Sequence, residues 1–215
     1  MRRVGAIVLA AGRSSRYRAA GGPEATKLVA ELAGKPIVRR VAEAALASRA
    51  SPVVVVVGHA SDVVEGALAG LQTVIAFNAD FASGIASSLR AGLRATPPEI
   101  AATLVLLGDM PNVEAGLIDR LIDAWEAAPG MLAVAPLQNG RRGNPVLLAR
   151  AMFEKAMRLE GDEGARRLLA GLGAGQIVEI EAAGEDAAFD VDTPDDLEAA
   201  ILHRAVDGHG GQGSI

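Results

Sequence analysis

Val4-Gly5-Ala6-Ile7-Val8-Leu9-Ala10-Ala11-Gly12-Arg13-Ser14-Ser15-Arg16 is the stretch on which the fold turns. An apolar run from Val4 to Ala11 passes through Gly12 into hydroxyls and arginines. A run this short, closed by a glycine, reads as a strand buried on both faces. Such strands belong to parallel sheets covered by helices on each side. The polar end then falls at the carboxyl edge of the sheet, where open α/β folds bind ligands. Met1-Arg2-Arg3 ahead of the run also gives it the look of a short signal peptide. Similar runs at Pro52 to Val57 and Thr103 to Leu107 favour the strand, as one member of a recurring set. No stretch approaches the roughly 18 apolar residues of a membrane span.

Working outward from that strand, short apolar runs alternate with helical patterns. Pro36 opens a helix striped by Ile37, Val41, Ala44 and Ala45, and a nearly pure valine strand follows at Pro52 to Val57. Ser61 to Leu71 predicts a helix, Thr73 to Phe77 a strand, and Gly84 to Ala95 a second helix. Thr103 to Leu107 is the next buried strand. The helix beyond it carries Leu117, Ile118, Leu121, Ile122 and Trp125 on one stripe, with Asn112 suited to cap it. Strands around Met131 to Ala135 and Pro145 to Leu148 come next. Helices around Arg150 to Leu159 and Asp162 to Leu172 follow, then a strand around Gln176 to Ile180. Thr193-Pro194-Asp195-Asp196 opens a last helix with a capping-box pattern. The fold class expected is α/β: a Rossmann-like, doubly wound, mostly parallel sheet with helices on both faces. No internal repeat or linker is visible, so residues 1–206 read as one domain and 207–215 as a disordered tail.

Composition narrows the function. The 215 residues are 50% hydrophobic but only 3% aromatic, so the core is aliphatic and a disordered chain is excluded. A formal charge of -5 argues against a nucleic-acid binder that relies on phosphate contacts. The absence of cysteine removes disulfides, thiolate zinc sites and cysteine nucleophiles, and is compatible with a cytoplasmic setting.

Three loops at strand ends carry the candidate chemistry. Leu9-Ala10-Ala11-Gly12-Arg13 with Arg16 and Lys27 matches neither the dinucleotide nor the P-loop fingerprint. Its small residues and cations can still wrap a polyphosphate through free backbone N–H groups; it can equally be a solvated surface loop. Asp109 directly follows a buried strand, where it could face phosphates through Mg²⁺ or serve as a turn residue in Gly-Asp-Met-Pro. Asp192 precedes the cap of the last helix, so capping leaves it unexplained and makes it the better ligand candidate. Arg142-Gly143-Asn144 has the character to meet a second anion, and reads almost as well as a plain turn. His59 reads as a polar loop residue with no catalytic role.

Together these pieces resemble the MobA-like nucleotidyltransferases. Leu9-Ala-Ala-Gly-Arg-Ser-Ser-Arg16, Lys27, Gly108-Asp-Met-Pro111 and Asp190-Val-Asp-Thr-Pro194 look like the motifs of that family. Within the family, the molybdenum cofactor cytidylyltransferase branch matches best. Arg142-Gly-Asn-Pro-Val146 and Gly161-Asp-Glu-Gly-Ala-Arg166 add to that likeness. One departure is the stretch from Arg16 to Lys27, longer than the family's usual spacing, so Lys27 reaches the site only if this loop folds back.

The resemblance implies a nucleotide-diphospho-sugar transferase type of fold and transfer of CMP from CTP to the phosphate of molybdopterin, with release of pyrophosphate. It implies Mg²⁺ held by Asp109 and Asp192, with Arg16, Lys27 and Asp109 catalytic. Leu9, Ala10, Ala11, Gly12, Arg13, Gly84, Ser87 and Ser88 would bind nucleotide, and Arg142, Gly143 and Asn144 the acceptor. The partners expected are CTP, a molybdopterin-type acceptor and a molybdenum enzyme or its maturation factor, with no nucleic acid and no membrane. A sugar or polyol phosphate acceptor is one alternative. A non-catalytic nucleotide-binding maturation partner is the other.

Overall fold

The computed structural model describes residues 2–138, 140–182 and 190–199. The valine- and leucine-rich runs do form the strands that their composition requires: β1 (Val4–Ala10), β4 (Val53–Val57) and β6 (Ala102–Leu107) lie at the centre of an eight-stranded sheet. Between β1 and β4 come α1 (Ser15–Ala19), a two-residue ribbon of β2 (Glu31–Leu32) with β3 (Lys35–Pro36), and α2 (Ile37–Ala47). After β4 follow α3 (Ser61–Ala67), β5 (Val74–Phe77) and α4 (Ile85–Ala95). After β6 come α5 (Ala115–Ala127), β7 (Ala133–Gln138), β8 (Arg141–Arg142), β9 (Val146–Ala149), α6 (Phe153–Ala156), α7 (Ala165–Leu169) and β10 (Ile177–Glu181).

The strand order is β10-β7-β9-β6-β1-β4-β5, with β8 pairing β7. Pairs β1/β4, β1/β6, β4/β5 and β7/β10 are parallel; β9 runs against both its neighbours. The sheet is therefore mixed but mostly parallel, as expected. Side chains alternate between two apolar layers. Val8 and Ala10 pack with α2, α3 and α5 on one face, while Ile7, Leu9 and Ala11 pack with α4, α6 and α7 on the other. The fold class read from the sequence stands.

Several boundaries move, each for a local reason. The helix from Ser61 stops at Ala67, because the chain turns through Leu68 to Gly70, where φ is +82°. Asn112 does not cap the next helix. Met110 and Val113 are drawn into the core, and α5 begins only after Glu114. The helix expected over Asp162 to Leu172 shortens to Ala165–Leu169, since Gly161 accepts a hydrogen bond from the Ala86 N–H at 3.0 Å and holds its neighbours against α4. The disordered tail expected from 207 lies outside the described residues.

Candidate active site

The loop after β1 folds back on itself, and a single aromatic makes it do so. Tyr17 in α1 is buried, and its ring passes so close to Gly22 that a Cβ there would lie 2.1 Å from it. Ser14 and Thr26 hydroxyls meet at 2.8 Å across the loop's neck, and the Lys27 backbone N–H donates to Ser14 Oγ at 3.1 Å. Burying Tyr17 raises its hydroxyl's pKa, and the hydrogen bond to Glu24 adds to this. Lys27 is thereby delivered to the carboxyl edge of the sheet.

There it meets both predicted carboxylates. Lys27 Nζ lies 2.7 Å from Asp109 Oδ2 and 2.7 Å from Asp192 Oδ1, while the Arg16 guanidinium pairs with Asp192 Oδ2. Burial works to lower the pKa of Lys27, but the charges and hydrogen bonds of Asp109 and Asp192 outweigh it and hold the ammonium above the ordinary lysine range. Two segments 83 positions apart (192 minus 109) are joined here by a backbone bond from Val191 N–H to the Asp109 carbonyl, 3.0 Å. Val191 itself is fully buried beside Tyr17, Leu32 and Ile37. Asp196 closes the segment as the capping box predicts: its carboxylate accepts from the Thr193 N–H at 2.7 Å, and its own N–H donates to Thr193 Oγ1 at 3.2 Å. Burial works to raise the Asp196 pKa, but these Thr193 bonds prevail and hold it below the usual carboxylate range.

A cleft of about 320 Å³ opens beside this cluster, lined by Leu9, Ala11, Gly12, Arg13, Gly84, Ser88 and Asp109 among others. Phe81 forms one wall, with the Arg13 guanidinium 5.8 Å from its ring centre and His59 against it. Ala10 faces the core, away from the cleft, and Ser87 lies behind Ser88 rather than on the cleft surface. A second cavity of about 510 Å³ shares Leu9, Ile85, Leu107 and Asp162 with the first, and continues past Asn144 to Arg166. Arg142 does not line either one. Its Nε binds Glu179 at 2.6 Å and its NH1 donates to the Leu169 carbonyl at 2.9 Å. Arg166, by contrast, is exposed on the cavity rim.

Asp190 was not singled out from the sequence, and the structure sets it beside the cluster. Its carboxyl is pushed above the usual range, first by partial burial and then by the neighbouring charges of Asp109 and Asp192. Alternation along Asp190-Val191-Asp192 is the signal that could have found it: with Val191 inward, both acids fall on the other side. Asn78 was also missed, because a lone amide after a strand has no motif.

A family model described as the MobA-like NTP transferase domain matches residues 6–178. This chain belongs to that family. Among curated relatives, the bifunctional protein GlmU of Burkholderia lata is 36% identical over 129 residues, covering 60% of this chain and 27% of the relative. The chain thus spans only about a quarter of that protein's length. Among solved structures, Rv0371c of Mycobacterium tuberculosis in complex with manganese is 24% identical with a TM-score of 0.77, covering 93% of this chain and 98% of that one. The molybdopterin-guanine dinucleotide biosynthesis protein A of Archaeoglobus fulgidus is 20% identical with a TM-score of 0.69, covering 94% and 99%. At these identities the structures establish the fold of the MobA-like transferases. Among the described residues, no helix is long and apolar enough to cross a membrane.

Proposed function

We propose that this MobA-like protein transfers CMP from CTP to the phosphate of a molybdopterin-type acceptor. An oxygen of the acceptor phosphate attacks the α-phosphorus, the bond to the β-phosphate breaks, and pyrophosphate leaves. The observation that carries this reading is Lys27 held between Asp109 and Asp192 at the mouth of the cleft. No covalent work is asked of the protein in such a transfer, only positioning and charge neutralisation.

The carboxylates fit a magnesium ion. Asp109 Oδ1 is buried with no hydrogen-bond partner, so one hard oxygen is unused. Among the described residues no third His, Cys, Asp or Glu completes a metal cage. That suits Mg²⁺, which is typically held by one or two carboxylates with waters and substrate phosphates in the other positions. Asp109 and Asp192 would hold it, and when bound it would neutralise charge on the phosphates. Manganese in the Rv0371c complex supports a divalent ion on this fold. Arg16 and Lys27 supply the protein's own cations to the triphosphate, and Arg13 lies over the cleft from the side of Phe81. On the acceptor side, Asn144 and Arg166 line the adjoining cavity and take the acceptor phosphate, with Gly143 in the turn before them. Arg142 braces that turn from behind.

Cytosine is favoured because the Ala11 methyl stands in the cleft wall, where a glycine would leave room for a larger base. One methyl is worth roughly 1–3 kcal/mol, a preference of about 10–200-fold. The experiment is competition between CTP and GTP at equal concentration with the molybdenum-loaded pterin. Mostly cytosine dinucleotide is expected. A majority of guanine product overturns the base assignment, and no pyrophosphate with any triphosphate overturns the transferase reading. Turnover with a sugar or polyol phosphate, and none with the pterin, replaces the acceptor.

A further inference from the structure

Asn78 follows β5 with its side chain buried against the start of α4. The orientation of its amide is fixed by chemistry. The Asp80 backbone N–H can only donate, and it reaches Asn78 Oδ1 at 3.0 Å. Nδ2 therefore faces the helix, donating to Ser87 Oγ at 2.8 Å and to Ser88 Oγ at 3.1 Å.

The two hydroxyls then differ in what they do with their single protons. Ser87 gives its proton to a carbonyl, with Gly84 at 2.8 Å and Asp80 at 3.0 Å available. The carbonyl four residues before Ser88 is the same Gly84 oxygen, which already accepts from the Ser87 N–H at 3.2 Å and lies within reach of the Ser87 hydroxyl. Ser88 has no protein acceptor among the described residues, is only 5% exposed, and lines the cleft. A hydroxyl that accepts from behind has its proton left to offer forward.

We infer that Asn78 is a positioning residue: by filling a lone pair of Ser88 Oγ it aims the Ser88 proton into the cleft, where it donates to an acceptor atom on the nucleoside of the bound nucleotide. The inference rests on the nucleotide reading of this cleft given above. It assigns neighbouring serines opposite roles, Ser87 to the helix end and Ser88 to the ligand.

The test is a double-mutant cycle on CTP binding, with inorganic tripolyphosphate as a competitor that lacks a nucleoside. Asn78→Asp keeps the shape and still accepts from Asp80, but a carboxylate cannot donate, so the Ser88 proton turns back towards it. Ser88→Ala removes the donor outright. Each should weaken CTP binding about tenfold, the size of one lost hydrogen bond in a buried site. The double variant should lose no more than either single, Ser88→Thr should restore binding, and tripolyphosphate should bind unchanged throughout. Additive losses, or an equal loss of tripolyphosphate, overturn the inference. Should Asn78→Asp fail to fold, Ser88→Ala decides alone: binding CTP as the parent does overturns it. A parent protein that binds no nucleoside triphosphate overturns the transferase reading first.

Discussion

The two ends of the cleft are built by opposite means. At one end, Lys27, Asp109, Asp192 and Arg16 form a charged knot from three distant segments; the Arg16–Asp192 pair joins residues 176 positions apart. At the other, Asn78, Asp80, Gly84, Ser87 and Ser88 make a neutral network within eleven residues of one strand–helix connection. The charged end depends on a folded-back loop and a docked C-terminal segment. The neutral end is fixed by local geometry. Under the proposed transfer, this division would let one end rearrange around charge while the other keeps a stable surface for the nucleoside.

The largest effect should come from breaking the charged end. Asp109→Ala should lower the rate of pyrophosphate release by a hundredfold or more, as when other transition-state contacts are lost, with little change in melting temperature. Lys27→Ala should cost stability as well, because Asp109 and Asp192 would then face each other without a cation. Roughly 3 kcal/mol is expected, the low end for breaking a buried pair, since Asp192 is about a third exposed. Added Mg²⁺ should recover part of that loss in thermal unfolding, and no recovery would count against the carboxylates as ligands.

Gly84 links the neutral end to the second cavity. Its φ is +100°, and a Cβ there would lie 2.2 Å from the Gly161 carbonyl oxygen. Gly84→Ala should destabilise by about 1–3 kcal/mol through backbone strain. It should also weaken both substrates, since Asp162 beside it lines both cavities.

The response to pH should sharpen the contrast. The Lys27 ammonium is raised above its unfolded value, so its contribution is fully present below about pH 10 and is lost as pH rises through its folded value. The Asp196 carboxyl is lowered, so its contribution is present above the ordinary aspartate range near pH 4 and is lost as pH falls through its folded value. Hydrogen exchange should show the 190–199 segment loosening in acid before α4 does; simultaneous loosening would remove the distinction. The smallest effect is expected at Arg142. Arg142→Ala breaks a pair with Glu179 that is about a third exposed and worth about 1 kcal/mol or less, and should leave the CTP KM unchanged. Arg166→Ala should raise the acceptor KM instead, without changing stability.

The amino-acid sequence by itself determined the sheet and its two faces, because buried strands and helix stripes are written in local periodicity. Val4 to Ala10, Val53 to Val57 and the Leu117-to-Trp125 stripe could hardly have formed anything else. The capping box at Thr193 and Asp196 was legible for the same reason: its partners lie three residues apart. What only the tertiary structure decided was where charges and amides find their partners. Nothing local says that Tyr17 folds its loop back to bring Lys27 between two distant aspartates. Nor does it say that Arg142 turns to Glu179 while Arg166 meets the cavity, or that Asn78 divides the work of two adjacent serines. The charged contacts depend on groups that become neighbours only after long loops close, whereas the Asn78 contacts form within one strand–helix connection but follow no periodic pattern.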